Sequence, residues 1–112
     1  MSESKEIKEE KALRYNEGKL KWSLVHFKSL IPMVRVLMFG AKKYAPNNWK
    51  KKIDRDEVLE CMMRHLTAIM DGEENDPESG ESHIGHLQCN AMFYSYHFVV
   101  KDKKEVNESD KA

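Results

Sequence analysis

Apolar positions recur at helical spacing in three runs of the chain, and nowhere alternate with the period of two that a half-buried strand requires. In the first run Leu30, Met33, Val34, Leu37, Met38 and Ala41 keep one helical face, and Ile31, Val36 and Phe39 widen it. A stripe that broad predicts burial on two sides, in a bundle or at a subunit interface. Pro32 fits the first turn, where its missing N–H costs least, and Gly40 falls near the end of the run. In the second run Val58, Cys61, Met62, His65, Leu66, Ile69 and Met70 form the stripe. Asp54 offers an N-cap side chain with Glu57 three residues on, a capping-box pattern, and Gly72 is a natural stop. The third run carries Ile84, Leu87, Ala91, Tyr94 or Ser95, and Phe98, and extends to about Val100, with Ser79 or Ser82 available as its cap. The expected fold is all-α: a small bundle of three helices.

The stretches between these runs break the pattern. Residues 14–25, "RYNEGKLKWSLV", read as loop, with Asn16 and Gly18 as turn residues. Residues 42–52, "KKYAPNNWKKK", form a basic, aromatic loop. Residues 71–81 are acidic and rich in turn formers, and join the second and third helices. A connection of about ten residues makes those two helices most simply an antiparallel hairpin at the centre of the bundle. Residues 1–12 and 101–112 are charged and poor in apolar side chains, so they read as solvated tails around a single domain at 13–100.

Composition narrows the partners. A chain of 112 residues has room for one domain of common size. The net charge is zero with 34% charged residues, which gives no global electrostatic case for polymeric nucleic acid or for a membrane surface. No apolar run approaches the ~20 residues that span a bilayer, and the charged start "MSESKEIKEEK" is no signal peptide. Cys61 and Cys89 lie inside apolar helical runs, which fits buried thiols in a reducing cytoplasm rather than a disulfide.

Two constellations carry chemistry. On the third helix His83, His86, Asn90, Tyr94 and His97 share a face; on the second, Glu57, Glu60, Arg64 and Asp71 do, with His65 beside Arg64. With helix ends near 72 and 82, His65 lies seven residues before the loop and His86 four after it. The axial mismatch of about three residues is ~4.5 Å, within side-chain reach. The hairpin therefore offers a layer near the loop (His65, Glu73, Asp76, His83, His86) and a deeper one (Glu57, Glu60, Asn90, Tyr94, His97). The first suits a divalent cation: carboxylates are hard ligands for Mg²⁺ or Mn²⁺, and imidazole moves the preference toward Mn²⁺, Fe²⁺, Co²⁺ or Zn²⁺. The bland alternative is a hydrogen-bonded core histidine above a solvated acidic turn. In the basic loop, Lys42 and Lys43 can neutralise phosphate, Asn48 can hydrogen-bond a base edge and Trp49 can stack on it. Alternatively Trp49 and Tyr44 are packing residues that close the bundle.

Taken in order, "RYNEGKLKWSL", "FGAKKYAPNNW", "RHLTAIMDGEENDPESG" and "HIGH" resemble a family of small phage and prophage proteins, the dATP/dGTP diphosphohydrolase N-terminal type. That family is similar to the MazG-like all-α NTP pyrophosphohydrolases, and the likeness runs from about Arg14 to Phe98. It implies an oligomer built from helical hairpins. It also implies hydrolysis of a purine deoxynucleoside triphosphate to the monophosphate and pyrophosphate with Mg²⁺ or Mn²⁺. In this sequence the family's motif residues include Lys19, Lys43, Asn48, Trp49, Arg64, His65, Glu73, Asp76, His83 and His86. The resemblance leads us to expect His65, Asp76, His83 and His86 as metal ligands. Glu73 or Glu60 would orient or deprotonate water, Arg64 and Lys43 would grip phosphate, and Asn48, Trp49 and Lys19 would bind substrate. In the broader MazG-like pattern ExxE on one helix is followed by ExxD on the next; here ExxE is present as Glu57 and Glu60, and HxxH stands where ExxD would be. A nucleotide-binding phage protein that does not cleave its ligand is the alternative expectation.

Overall fold

A computed structural model describes residues 9–100. The expected tails at 1–12 and 101–112 thus lie outside the described residues, except for 9–12, which are exposed and without regular structure. Three α-helices follow: α1 (Ile31–Lys43), α2 (Arg55–Met70) and α3 (His83–Ser95). Single 3-10 turns occur at Trp22–Leu24, Phe27–Leu30 and Asn48–Lys50, and α3 runs on into a π-helical turn, Tyr96–Val100. The described residues hold no strand, only an isolated antiparallel bridge between Asn75 and Ser82, so the fold is all-α as expected.

The helix ends follow the local chemistry. Pro32 occupies the first turn of α1, and Lys42 and Lys43 lie in its last turn, where cations offset the negative end of the helix dipole. The loop beyond turns at Asn47, with φ of 64°, a conformation that asparagine tolerates better than most residues. The Asp54 carboxylate accepts the Glu57 N–H at 3.0 Å and starts α2. Asp54→Ala is expected to lower stability by ~1 kcal/mol, the usual worth of such a cap, read as a lower urea midpoint; an unchanged midpoint would contradict the cap's role. At the other end Glu73 N–H donates to Ala68 O and Gly72 N–H to Ile69 O, both at 2.9 Å, with Gly72 at φ of 93°. That pair of bonds around a left-handed glycine is a Schellman stop. Ser82, not Ser79, caps α3, its hydroxyl accepting the Gly85 N–H at 3.1 Å.

Helix α3 packs against both α1 and α2. It runs antiparallel to α2: Arg55 Nε donates to the Tyr94 hydroxyl at one end (3.0 Å), and His65 meets His83 at the other. Against α1, the Cys89 thiol donates to Met33 O at 3.3 Å, and Gly85 lies against the Pro32 backbone. Among the described residues the buried apolar side chains are Val36, Val58 and Cys89, joined by the buried imidazoles of His65 and His83. Both cysteines are free, and burial pushes the Cys89 thiol up to about 12. Only part of each apolar stripe is covered within the chain. In α2, Leu66 is 45% and Met70 74% exposed, and in α1 Met38 is 63% exposed. Among the described residues no helix is long and apolar enough to cross a membrane.

Candidate functional site

The C-terminal half of α1, the loop after it, the middle of α2, the acidic loop and both the first and the last turn of α3 line a cleft of about 1000 Å³. Lys43, Asn48, Trp49, Arg64, His65, Glu73, Asp76, His83 and His86 all line it. Its other wall is apolar, with Leu37, Met38, Ala41, Tyr44 and Phe93 among the lining residues. The imidazoles of His65, His83 and His86 and the carboxylates of Glu73 and Asp76 meet at the loop end of the hairpin, the layer expected from helical rise.

Within the cleft, one ligand atom each of His65, Asp76 and His86 lie within 4.8 Å of one another. The helices supply the two imidazoles, whose rings stack at 4.6 Å and 5°. The loop supplies the carboxylate. Asp76 is fixed there because its Oδ1 accepts the Glu78 N–H at 2.7 Å, its N–H donates to Glu81 O, and its carbonyl accepts from Gly80 N–H. His86 Nε2 is 2.7 Å from the Ser79 hydroxyl and 4.0 Å from Asp76 Oδ2. His83 is not part of this trio: its Nδ1 meets His65 Nδ1 at 2.8 Å, and its Nε2 meets Glu73 Oε1 at 2.8 Å. Ser79 and this relay from Glu73 to His65 escape a reading of spacing alone, since both depend on how the loop folds back.

The titration of the trio suits a cation. Burial, then the neighbouring His86 and His83, keep the His65 imidazole below its ordinary value. Burial does the same to His86, against the opposing pull of Asp76. Burial alone would raise the Asp76 carboxyl. The Glu78 N–H, the His86 imidazole, the Ser79 N–H and His65 together outweigh it and hold the group below the carboxylate range. At neutral pH the trio is thus two neutral imidazoles and one carboxylate, the protonation state in which such groups ligate metal. Two nitrogens and one hard oxygen fit a divalent first-row ion with open positions for water and substrate, and fit Mn²⁺ better than Mg²⁺, which prefers all-oxygen sites.

Around the trio the expected binding residues differ in their surroundings. Lys43 Nζ pairs with Glu78 Oε2 at 3.3 Å and lies over the Phe39 and Tyr44 rings. The Tyr44 hydroxyl, followed by Glu78, holds the Lys43 ammonium above its usual value. Trp49 stacks on Phe93 at 4.9 Å and meets Tyr96 edge-on, while its carbonyl accepts from His97 Nε2 at 2.8 Å. It both closes the bundle and lines the cleft, so the packing role read from sequence holds for it. Tyr44, in contrast, is largely exposed. Glu57 and Glu60 lie outside the cleft. With Asp56 and Arg64 they border a separate depression of about 350 Å³, so Arg64 alone reaches both. Lys19 is exposed in the turn closed by its N–H to Asn16 O, and does not line the cleft.

A family model described as dATP/dGTP diphosphohydrolase, N-terminal, matches residues 9–108. A protein of Salmonella phage PMBT28 named dATP/dGTP diphosphohydrolase is 30% identical over 82 residues, 72% of this chain and 28% of that relative. The chain therefore spans little more than a quarter of the relative's length. No solved structure matches it significantly.

Proposed function

Since the chain belongs to the dATP/dGTP diphosphohydrolase N-terminal family, we propose that its cleft takes a purine deoxynucleoside triphosphate and hydrolyses it to the monophosphate and pyrophosphate with a divalent cation. One observation carries this reading: the His65–Asp76–His86 trio lies in the same cleft as Arg64 and Lys43. A cation held there would neutralise phosphate charge and lower the pKa of a coordinated water. Arg64 offers a planar fork to phosphate oxygens. Lys43 would exchange the exposed Glu78 carboxylate for a phosphate, a small cost because exposed pairs are weak. Glu73 also lines the cleft and would orient water with the carboxylate oxygen that does not meet His83. The apolar wall, with Asn48 and Trp49 at its edge, would receive the base. The exposed apolar faces of α1 and α2 support self-association, and a phage relative supports a role in phage nucleotide metabolism, within the host cytoplasm.

The test is pyrophosphate release from the four ribo- and four deoxynucleoside triphosphates with Mn²⁺ or Mg²⁺. Release from dATP or dGTP is expected, faster with Mn²⁺ than with Mg²⁺. No release from any nucleotide at high protein concentration would overturn the enzyme reading. A second reading, binding without hydrolysis, draws support from Glu57 and Glu60 lying outside the cleft. Chromatography of ligand recovered from the protein separates the two, because a binding protein returns it intact.

A further inference from the structure

We infer that Glu73 and His83 are positioning residues, which hold the His65 imidazole in the tautomer protonated on Nδ1 and so leave its Nε2 lone pair as the atom offered to a cation. The inference rests on the reading of His65 as a cation ligand and extends it to two residues behind the ligand.

A carboxylate only accepts, so the contact of Glu73 Oε1 with His83 Nε2 requires the proton on that nitrogen. A neutral His83 then bears a lone pair on Nδ1. That atom faces His65 Nδ1 at 2.8 Å, so the proton between them belongs to His65. Any other arrangement of two neutral rings sets two lone pairs, or two N–H groups, against each other at hydrogen-bonding distance. Both rings are buried, His83 at 5% exposure and His65 at 9%, so water does not relieve a mismatch. The tautomer and the ring plane are fixed by different neighbours. His83 sets which nitrogen carries the proton, and the parallel His86 ring restricts rotation of His65 about its own axis. The chain of contacts starts at Glu73, which is half-exposed, and ends inside the cleft. Metal-bound imidazoles characteristically donate their other N–H to a fixed acceptor, and here His83, itself held by a carboxylate, is that acceptor.

Nitrogen–proton correlation spectra of the metal-free protein at neutral pH read the tautomers directly. The expected pattern is a proton on Nδ1 of His65 and on Nε2 of His83. A proton on Nε2 of His65, or a doubly protonated His83 donating to both partners, would overturn the inference. Calorimetry with Mn²⁺ supplies the second arm. His83→Leu removes the acceptor, whereas His83→Asn keeps a carbonyl oxygen near the position of Nδ1. Mn²⁺ binding is expected to weaken ~10- to 100-fold in the leucine variant and by no more than about threefold in the asparagine variant. Leucine binding like wild type, or asparagine failing as badly as leucine, would overturn the positioning role. Absence of Mn²⁺ binding to the wild type is a different failure: it sinks the proposed function, while the spectra still decide the order of protons.

Discussion

Gly85→Ala is expected to destabilise the protein by about 1–3 kcal/mol, the range for overpacking a close-packed contact. At an exposed helical position the same change gains roughly 0.5–1 kcal/mol, because alanine loses less backbone entropy than glycine on folding. Here the sign reverses. A Cβ on Gly85 would lie 2.4 Å from Pro32 O, 2.7 Å from Pro32 C and 3.1 Å from Val36 Cγ2. The first two atoms are backbone in the first turn of α1 and cannot swing aside as a side-chain tip would, so α1 and α3 must separate. Gly40 is the matched control, since a Cβ there meets nothing within 4 Å. Gly40→Ala should be neutral or mildly stabilising by ~0.5–1 kcal/mol. Urea midpoints of the two variants against wild type make the comparison. A Gly85→Ala midpoint at or above wild type would mean that α1 does not approach α3 as described. The contact also matters for the cleft, because Gly85 lies between His83 and His86 on the same turn, and moving α3 moves both.

The helix termini were legible because each rests on a local rule: Asp54 and Ser82 as caps, Pro32 in a first turn, Gly72 in a Schellman stop. The meeting of His65 with His86 was legible for a different reason, since rise per residue fixes how far each lies from the loop. The deeper layer shows the limit of that arithmetic. Axial distance says how far along a helix a residue lies, not which way round it points. With Val58 and His65 buried, the phase of α2 leaves Glu57 and Glu60 exposed. Tyr94 and His97, their expected partners, bond instead to Arg55 and to the Trp49 carbonyl. The separation of His83 from the His65–Asp76–His86 trio was not legible at all. It follows from the loop folding back through the Asn75–Ser82 bridge and carrying Glu73 to His83. Helical periodicity says nothing about a loop. The close approach at Gly85 belongs to the same class, because an isolated glycine in an apolar helical run has several readings and only the neighbouring helix selects one.

Asp76→Asn is expected to weaken Mn²⁺ binding at least ~100-fold, more than the loss of a residue behind a ligand, and to depress dATP or dGTP hydrolysis at limiting Mn²⁺ in proportion. The substitution is chosen because it separates charge from structure. The bond that fixes the loop, Glu78 N–H to Asp76 Oδ1, asks only for an acceptor, and the asparagine carbonyl supplies one. The bonds to Glu81 O and from Gly80 N–H are backbone and persist. What disappears is the only carboxylate of the trio, leaving two neutral imidazoles that donate lone pairs but no charge to a divalent ion. The fold should therefore survive with a nearly unchanged urea midpoint while the cation is lost. Raising Mn²⁺ should restore part of the hydrolysis if Asp76 acts through the cation. An Arg64→Lys variant, which keeps the charge and loses the bidentate fork, should not respond to added Mn²⁺. Wild-type Mn²⁺ affinity in Asp76→Asn would remove Asp76 from the ligand set, and with it the case for a cation at this end of the hairpin.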